Sequence, residues 1–384
     1  MDKRFDELDS LRGLAALSVL FGHMLLIFNS SYVTTLLFEY GPLRFTVAGS
    51  EAVTLFFVLS GFVLSLPFYS QRRFSYGKYT IKRICRIYIP YISAIFITLL
   101  LRELFFTNKI TDLSQWFNVN WSQPFTLSAL KEHLLLISTF TSNLNNVVWS
   151  LVHEMRISLV FPLIMFILIR LDLKKSIGFG LGISILSVVY AIVFDAQFWG
   201  TELYATLHYS SIFVVGALLS KYHTVLRQHL LQLNMPKKCL LLFTGIILFL
   251  YAHPSFILNI LQPGFNPFLR TVIDTWFTSI GASIIIMFAI SVNIFSKMLK
   301  TKVVNYIGKI SYSLYLIHLS VLFSSFHLLY NVLPTWVVCV VAFAASLMLA
   351  SLMYHIVEKP SIILGKYLTK QRVDKTKKVE QVSA

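Results

Sequence analysis

The chain has 384 residues, of which 56% are hydrophobic and 13% charged, with a mean hydropathy of +0.71. Soluble domains carry about 25% charged residues, so a chain of two or three soluble domains is excluded and an all-α polytopic membrane protein is expected. The formal charge of +16 does not point to nucleic acid, because the basic residues are distributed as in a membrane topology.

Ten segments approach the length of about 20 apolar residues that a membrane helix needs: 10–28, 50–68, 84–101, 148–169, 176–194, 204–220, 239–252, 271–292, 312–330 and 335–356. The first follows "MDKRFDELDS" with no small-residue cleavage site after it, and is expected to stay as an uncleaved helix. The seventh is short. The stretch 130–140, "LKEHLLLISTF", is too short to span and is expected at the interface or folded back inward. The long connection 102–147 holds Trp116 and Trp121, which suits either a lid or acceptor-contacting surface, or plain interfacial anchoring. The expected organisation is a membrane domain over 1–364 and a basic cytoplasmic tail over 365–384, disordered or lipid-associated because it has little to bury.

With the N-terminus placed in the cytoplasm, 26 of the 33 Lys and Arg residues fall on the inner side and five in the outer loops. The positive-inside rule then puts both termini in the cytoplasm. No internal repeat supports an inverted-repeat transporter. Cys85, Cys239 and Cys339 are widely spaced and form neither a disulfide framework nor a metal-ligand pattern.

The first helix carries Arg12 and His23. Eleven residues apart, they fall about 20° from eclipsed on a 100° wheel, so they share a face and lie about 16 Å apart along the axis. Arg12 is near the cytoplasmic end and His23 is about 10 Å below the outer surface of a core about 30 Å thick. Two readings are open. Arg12 can snorkel while His23 makes a helix–helix hydrogen bond, or the two can be functional, as intramembrane ionisable groups are by default.

The fourth segment, entering from outside, places Glu154 about 9 Å deep, which makes it the expected partner of His23. Imidazole N–H would satisfy the carboxylate. Ser150 stands one turn earlier on the same face, and His153 and Arg156 lie nearby. A pairing of Glu154 or Arg156 that only fixes packing is the other reading. Arg83 and Arg86, three apart, are expected to be neighbours, with Lys82, Arg72 and Arg73 close by. Guanidinium groups suit phosphate, although a topogenic loop would carry the same charge. Ser60-Gly61 marks close helix packing. His318 is expected about 9 Å deep on the side opposite His23, with a structural hydrogen bond.

The ordered set "LDSLRGLAALSVLFGH", "FFVLSGFVLS", "KRICRIYIP", "WSLVHE", "IGKISYSLYLIH" and "VEKP", from Leu8 to Pro360, resembles the acyltransferase-3 family of bacterial membrane acyltransferases. The resemblance implies that Arg12 and His23 match the family's Arg and His of helix one, with His23 the catalytic residue. It implies that Arg83 and Arg86 match its paired arginines, and Trp149, Ser150 and Glu154 its Trp-Ser-Leu-x-x-Glu. It further implies transfer of an acyl group, usually acetyl, from cytoplasmic acyl-CoA to a hydroxyl of a glycan or lipid-linked glycan across the bacterial inner membrane. On this reading His23 is the general base and Glu154 orients it. Arg12, Arg83 and Arg86 take the donor phosphates, while Trp149, Ser150, Ser60, Gly61 and His318 support the site. No metal is expected. Transfer could be direct or pass through an acylated protein residue. With about 28 residues after the last helix, any acyl-accepting protein partner is expected to be a separate chain. The competing reading is a transporter or flippase for a glycan-lipid or anionic solute.

Overall fold

The computed structural model describes residues 5–70, 74–122, 126–137, 144–194, 200–262 and 266–370. These are helical, with no strand among the described residues. We label the long helices α1 (Asp6–Leu26), α2 (Gly49–Tyr69), α3 (Tyr76–Phe105), α4 (Val148–Leu168), α5 (Leu173–Val193), α6 (Leu203–Gln232), α7 (Met235–Leu250), α8 (Pro267–Ser291), α9 (Lys302–Leu329) and α10 (Thr335–Leu368). Nine of these are long and apolar enough to cross a membrane. The remaining one, α7, has 16 residues and spans about 24 Å; it packs along α8. The ten expected segments are all present as helices, and the protein is an all-α polytopic membrane protein.

Several ends differ from the expected ones for local reasons. α3 starts eight residues early, because "YGKYTIKR" forms two amphipathic turns before the apolar run. It contains a wide i→i+5 turn at Ile84–Tyr88, in which Ile89 N–H reaches Ile84 O. α10 runs past the apolar stretch to Leu368 and holds a matching wide turn at Tyr354–Glu358. Each wide turn is followed closely by a proline, Pro90 or Pro360, whose missing N–H would interrupt regular α-helical bonding. The end of α10 packs across the α3 turn, with Gly365 against Cys85 and Lys82. The boundary expected before Gly365 therefore falls inside a packed helix, and 371–384 lie outside the described residues.

At the centre, α1 lies between α9 and α2, and α2 packs on α6. α6 and α9 are the most enclosed of the spanning helices, α5 and α10 the least. Glycine sets the closest approaches. Gly61 faces the Phe213 carbonyl and Gly216 the Val58 carbonyl, so α2 and α6 touch backbone to backbone, as the Ser60-Gly61 signal suggested. Gly13 meets Gly308 in the same way between α1 and α9.

The helix Leu127–Leu135 folds back on α3, its His133 and Leu134 carbonyls accepting from Tyr91 (2.9 Å) and Tyr88. Beside α2, Arg44 pairs with Glu51, and His253 bridges Glu51 (3.0 Å) and Asp274 (3.4 Å). Ser255 donates to Asp274 as well.

Candidate active site

α1 and α9 run parallel. Gly13 lies against Gly308, and His23 lies against His318, at the same offset of 295 residues. Ten residues beyond the glycine contact, about 15 Å along the axis, His23 Nδ1 and His318 Nε2 stand 3.0 Å apart. His318 Nδ1 lies 3.0 Å from the Leu314 carbonyl. A carbonyl only accepts, so His318 carries its proton on Nδ1 and its Nε2 accepts from His23 Nδ1–H. That leaves His23 Nε2 as a bare lone pair, with no hydrogen-bond partner among the described residues. The indole of Trp116 lies parallel to the imidazole, at 11° and 5.6 Å between centroids.

The expected partnership of His23 with Glu154 is not found. Glu154 bonds Arg83 Nη2 at 3.0 Å, with Ser60 Oγ at 3.5 Å. The expected depth of Glu154 holds only if α4 starts at the outer surface. Instead the chain dips inward before it: Asn145 donates to Leu316 O at 2.9 Å, and Ser150 meets Tyr315 at 2.6 Å. Counted from that level, Glu154 is about 6 Å toward the Arg12 end of α1 and His318 about 4.5 Å the other way, a separation of about 10 Å. His318 likewise is not on the side opposite His23, because α9 begins well before its apolar run and lifts His318 to the level of His23.

Glu154 belongs to a second, charged layer. Arg83 is buried and also donates to Ser158 Oγ at 2.7 Å. Its Nε is buried without a partner among the described residues. Arg86 is exposed and has no hydrogen bond or ion pair among the described residues. The two were expected to be neighbours; they differ in exposure, Arg83 buried and Arg86 exposed, yet both remain charged neighbours of Arg12. Arg12 lies at 3.3 Å from both Asp9 and the Leu59 carbonyl, and its charged neighbours include Arg83, Arg86 and Glu154. Glu358 completes the layer, accepting from Ser313 at 2.6 Å with Arg86 and Asp9 in range. Tyr312 Oη donates to the Ile87 carbonyl at 2.9 Å at the same level. Arg72 and Arg73 lie outside the described residues.

The layer thus gathers three cations and three carboxylates, six residues along α9, about 9 Å, below the histidine pair. Of the expected supporting residues, Ser150 lies between the two levels, bonded to Tyr315, while Trp149 packs on His153 and Tyr209. His153 bonds Thr206 and the Gly200 carbonyl, and Arg156 the Ile137 and Thr201 carbonyls, so neither faces the site. Sequence reasoning missed Glu358 and Ser158. A lone acid closing the last apolar run before Lys-Pro was the available signal for Glu358; Ser158, four residues after Glu154, is placed only by the fold.

Arg12, His23, Arg83, Arg86, Glu154 and His318 all lie within one matched span, and Glu358 falls just beyond it. The acyltransferase-3 family, described as an acyltransferase domain, matches residues 5–355. The chain belongs to that family. As an acyltransferase-3 member it is a multi-pass membrane acyltransferase, which requires an acyl donor and an acceptor. No curated protein and no solved structure matches it. Among the described residues of this acyltransferase, no group of three or more His, Cys, Asp and Glu could hold a metal ion.

Proposed function

We propose that this acyltransferase takes an acyl group, acetyl in the simplest case, from cytoplasmic acyl-CoA and transfers it to a hydroxyl of a glycan or glycolipid on the outer side of a bacterial inner membrane. The observation that carries the reading is the bare Nε2 of His23, fixed as an acceptor by His318 and the Leu314 carbonyl above a layer of arginines with unused donors. A multiply anionic donor finds charge-assisted hydrogen bonds at Arg83 Nε and Arg86, with Arg12 beside them. A narrow thioester arm can then rise past Tyr315 toward His23.

At that level His23 Nε2 takes the acceptor's O–H proton as the oxygen attacks the thioester carbonyl carbon. The C–S bond breaks, and the departing thiolate receives the proton from the imidazolium. His318 takes the orienting role that the sequence reading gave to Glu154; Glu154 instead holds Arg83. A separate extracytoplasmic acyl-accepting protein would receive the group in the relay form of the reaction.

The test is transfer of label from acetyl-CoA to surface glycan in membranes from a deletion strain complemented with wild type or His23→Ala. Label appears on glycan with wild type and not with His23→Ala. Label on a protein instead would point to the relay, and full transfer by His23→Ala would refute the base.

A further inference from the structure

We propose that Trp116 is a fixed wall that keeps water from His23, so that the acyl group goes to the acceptor rather than being lost by hydrolysis. The inference rests on the reading of His23 as general base. A base that activates an alcohol also activates water: the water proton goes to Nε2, its oxygen attacks the thioester, the C–S bond breaks, and free acid and CoA thiol result. Excluding water is the ordinary way to prevent this side reaction.

The geometry around Trp116 suits that task. Its indole lies flat along the imidazole at 11° and touches Phe323 at 5.7 Å between centroids. The segment that carries it is bolted to the helix that carries His23. Ser114 N–H donates to the Ile27 carbonyl at 2.9 Å, and Ser114 Oγ to the Leu26 carbonyl at 2.6 Å, occupying carbonyls left open where α1 ends. Asn118 then closes the preceding turn, accepting from Ile110 N–H and donating to the Ile110, Leu113 and Ser114 carbonyls. Asn120 donates to the Trp116 carbonyl at 2.7 Å. Ring and base therefore share one frame, and the wall does not need to swing. Trp116 touches the base and acts through it, which makes it a positioning residue.

The experiment uses full-length protein in lipid nanodiscs with acetyl-CoA as the only substrate, reading release of CoA thiol. Wild type and Trp116→Phe, which keeps a flat ring, hydrolyse slowly. Trp116→Ala releases thiol about tenfold faster or more, within the range that general base catalysis commands. Adding His23→Ala to Trp116→Ala abolishes the gain. No gain in Trp116→Ala, or a gain that survives loss of His23, overturns the wall. Should Trp116→Ala not fold, Ser114→Ala loosens the segment with the ring intact. A leak from it that depends on His23 supports the proposal, and none overturns it. Failure is separable from that of the base reading: a dead His23→Ala beside a tight Trp116→Ala removes only the wall.

Discussion

His23 Nδ1 and His318 Nε2 meet at 3.0 Å because α1 and α9 are parallel and locked at the Gly13–Gly308 contact. The hydrogen bond belongs to the backbone register as much as to the two rings. This link between packing and protonation makes the pair testable from both ends.

Removing His318 leaves His23, the proposed base, in place without its tautomer lock. His318→Ala is expected to lower kcat by about 10- to 100-fold, a part of the 10²–10⁴ that acid–base catalysis supplies, with donor KM nearly unchanged. His318→Gln, whose amide oxygen can accept the Nδ1 proton, recovers part of the loss. Steady-state kinetics on the three proteins decide it; equal kcat in all three would show that the Leu314–His318–His23 chain has no effect.

The register can be shifted without touching either histidine. A Cβ at residue 13 would sit 2.6 Å from the Gly308 nitrogen, so Gly13→Ala forces α1 away from α9. Overpacking of this kind costs about 1–3 kcal/mol. Gly13→Ala should lower Tm and lose activity with all titratable groups retained. Combined with Gly308→Ala, whose Cβ would meet the Asp9 carbonyl one turn away, the effects should not add, since both push apart the same helix crossing. Thermal melts and turnover of the three variants check this.

The charged layer predicts opposite effects on donor binding. Arg86 has no protein partner to compete for it among the described residues, and Arg86→Ala should raise donor KM about tenfold or more, the worth of a charge-assisted hydrogen bond. Glu154→Gln should lower donor KM, because the carboxylate no longer competes for Arg83 Nη2. Arg83→Ala should also reduce stability, since it strands Glu154 without its cation. Donor titration by thermal shift separates the three. A raised KM in Glu154→Gln would return that residue to the chemistry.

Beside α2, hydrogen bonds to Asp274 and then Glu51 raise His253 from its ordinary 6.5 to about 9, against its burial and Arg44 beside it. A raised folded-state value means that the stabilisation is fully present below pH 6.5 and is lost as pH rises through about 9. Melting temperature should therefore fall between pH 7 and 10 in wild type, and fall less in His253→Gln. Parallel curves for the two proteins would show that the bridge does not couple protonation to stability.

The fold was legible because its signal is hydropathy over whole segments, and each of the ten runs became a helix. The site was legible in its members more than in its pairings. Arg12, His23, Arg83, Arg86 and Glu154 all face the two central layers, yet Glu154 met Arg83 rather than His23. Depth counted from the first apolar residue fails where a chain dips inward before its helix, as it does at Asn145. It fails again where a helix begins earlier than its apolar run, as α9 does. The difference in exposure between Arg83 and Arg86 was hidden for another reason: a wide turn ahead of Pro90 changes the phase of the helix, and a wheel of constant pitch cannot show it.

The pairing of α1 with α9 also has a consequence for biogenesis. Residue 23 leaves the ribosome 295 residues before its partner. At roughly 5–20 residues per second, the first helix waits about 15 to 60 seconds for the ninth. Throughout that interval the nascent chain carries His23 without the neighbour that sets its proton. Chains truncated before α9 therefore cannot form the histidine pair, which assembles only once the ninth helix has been made.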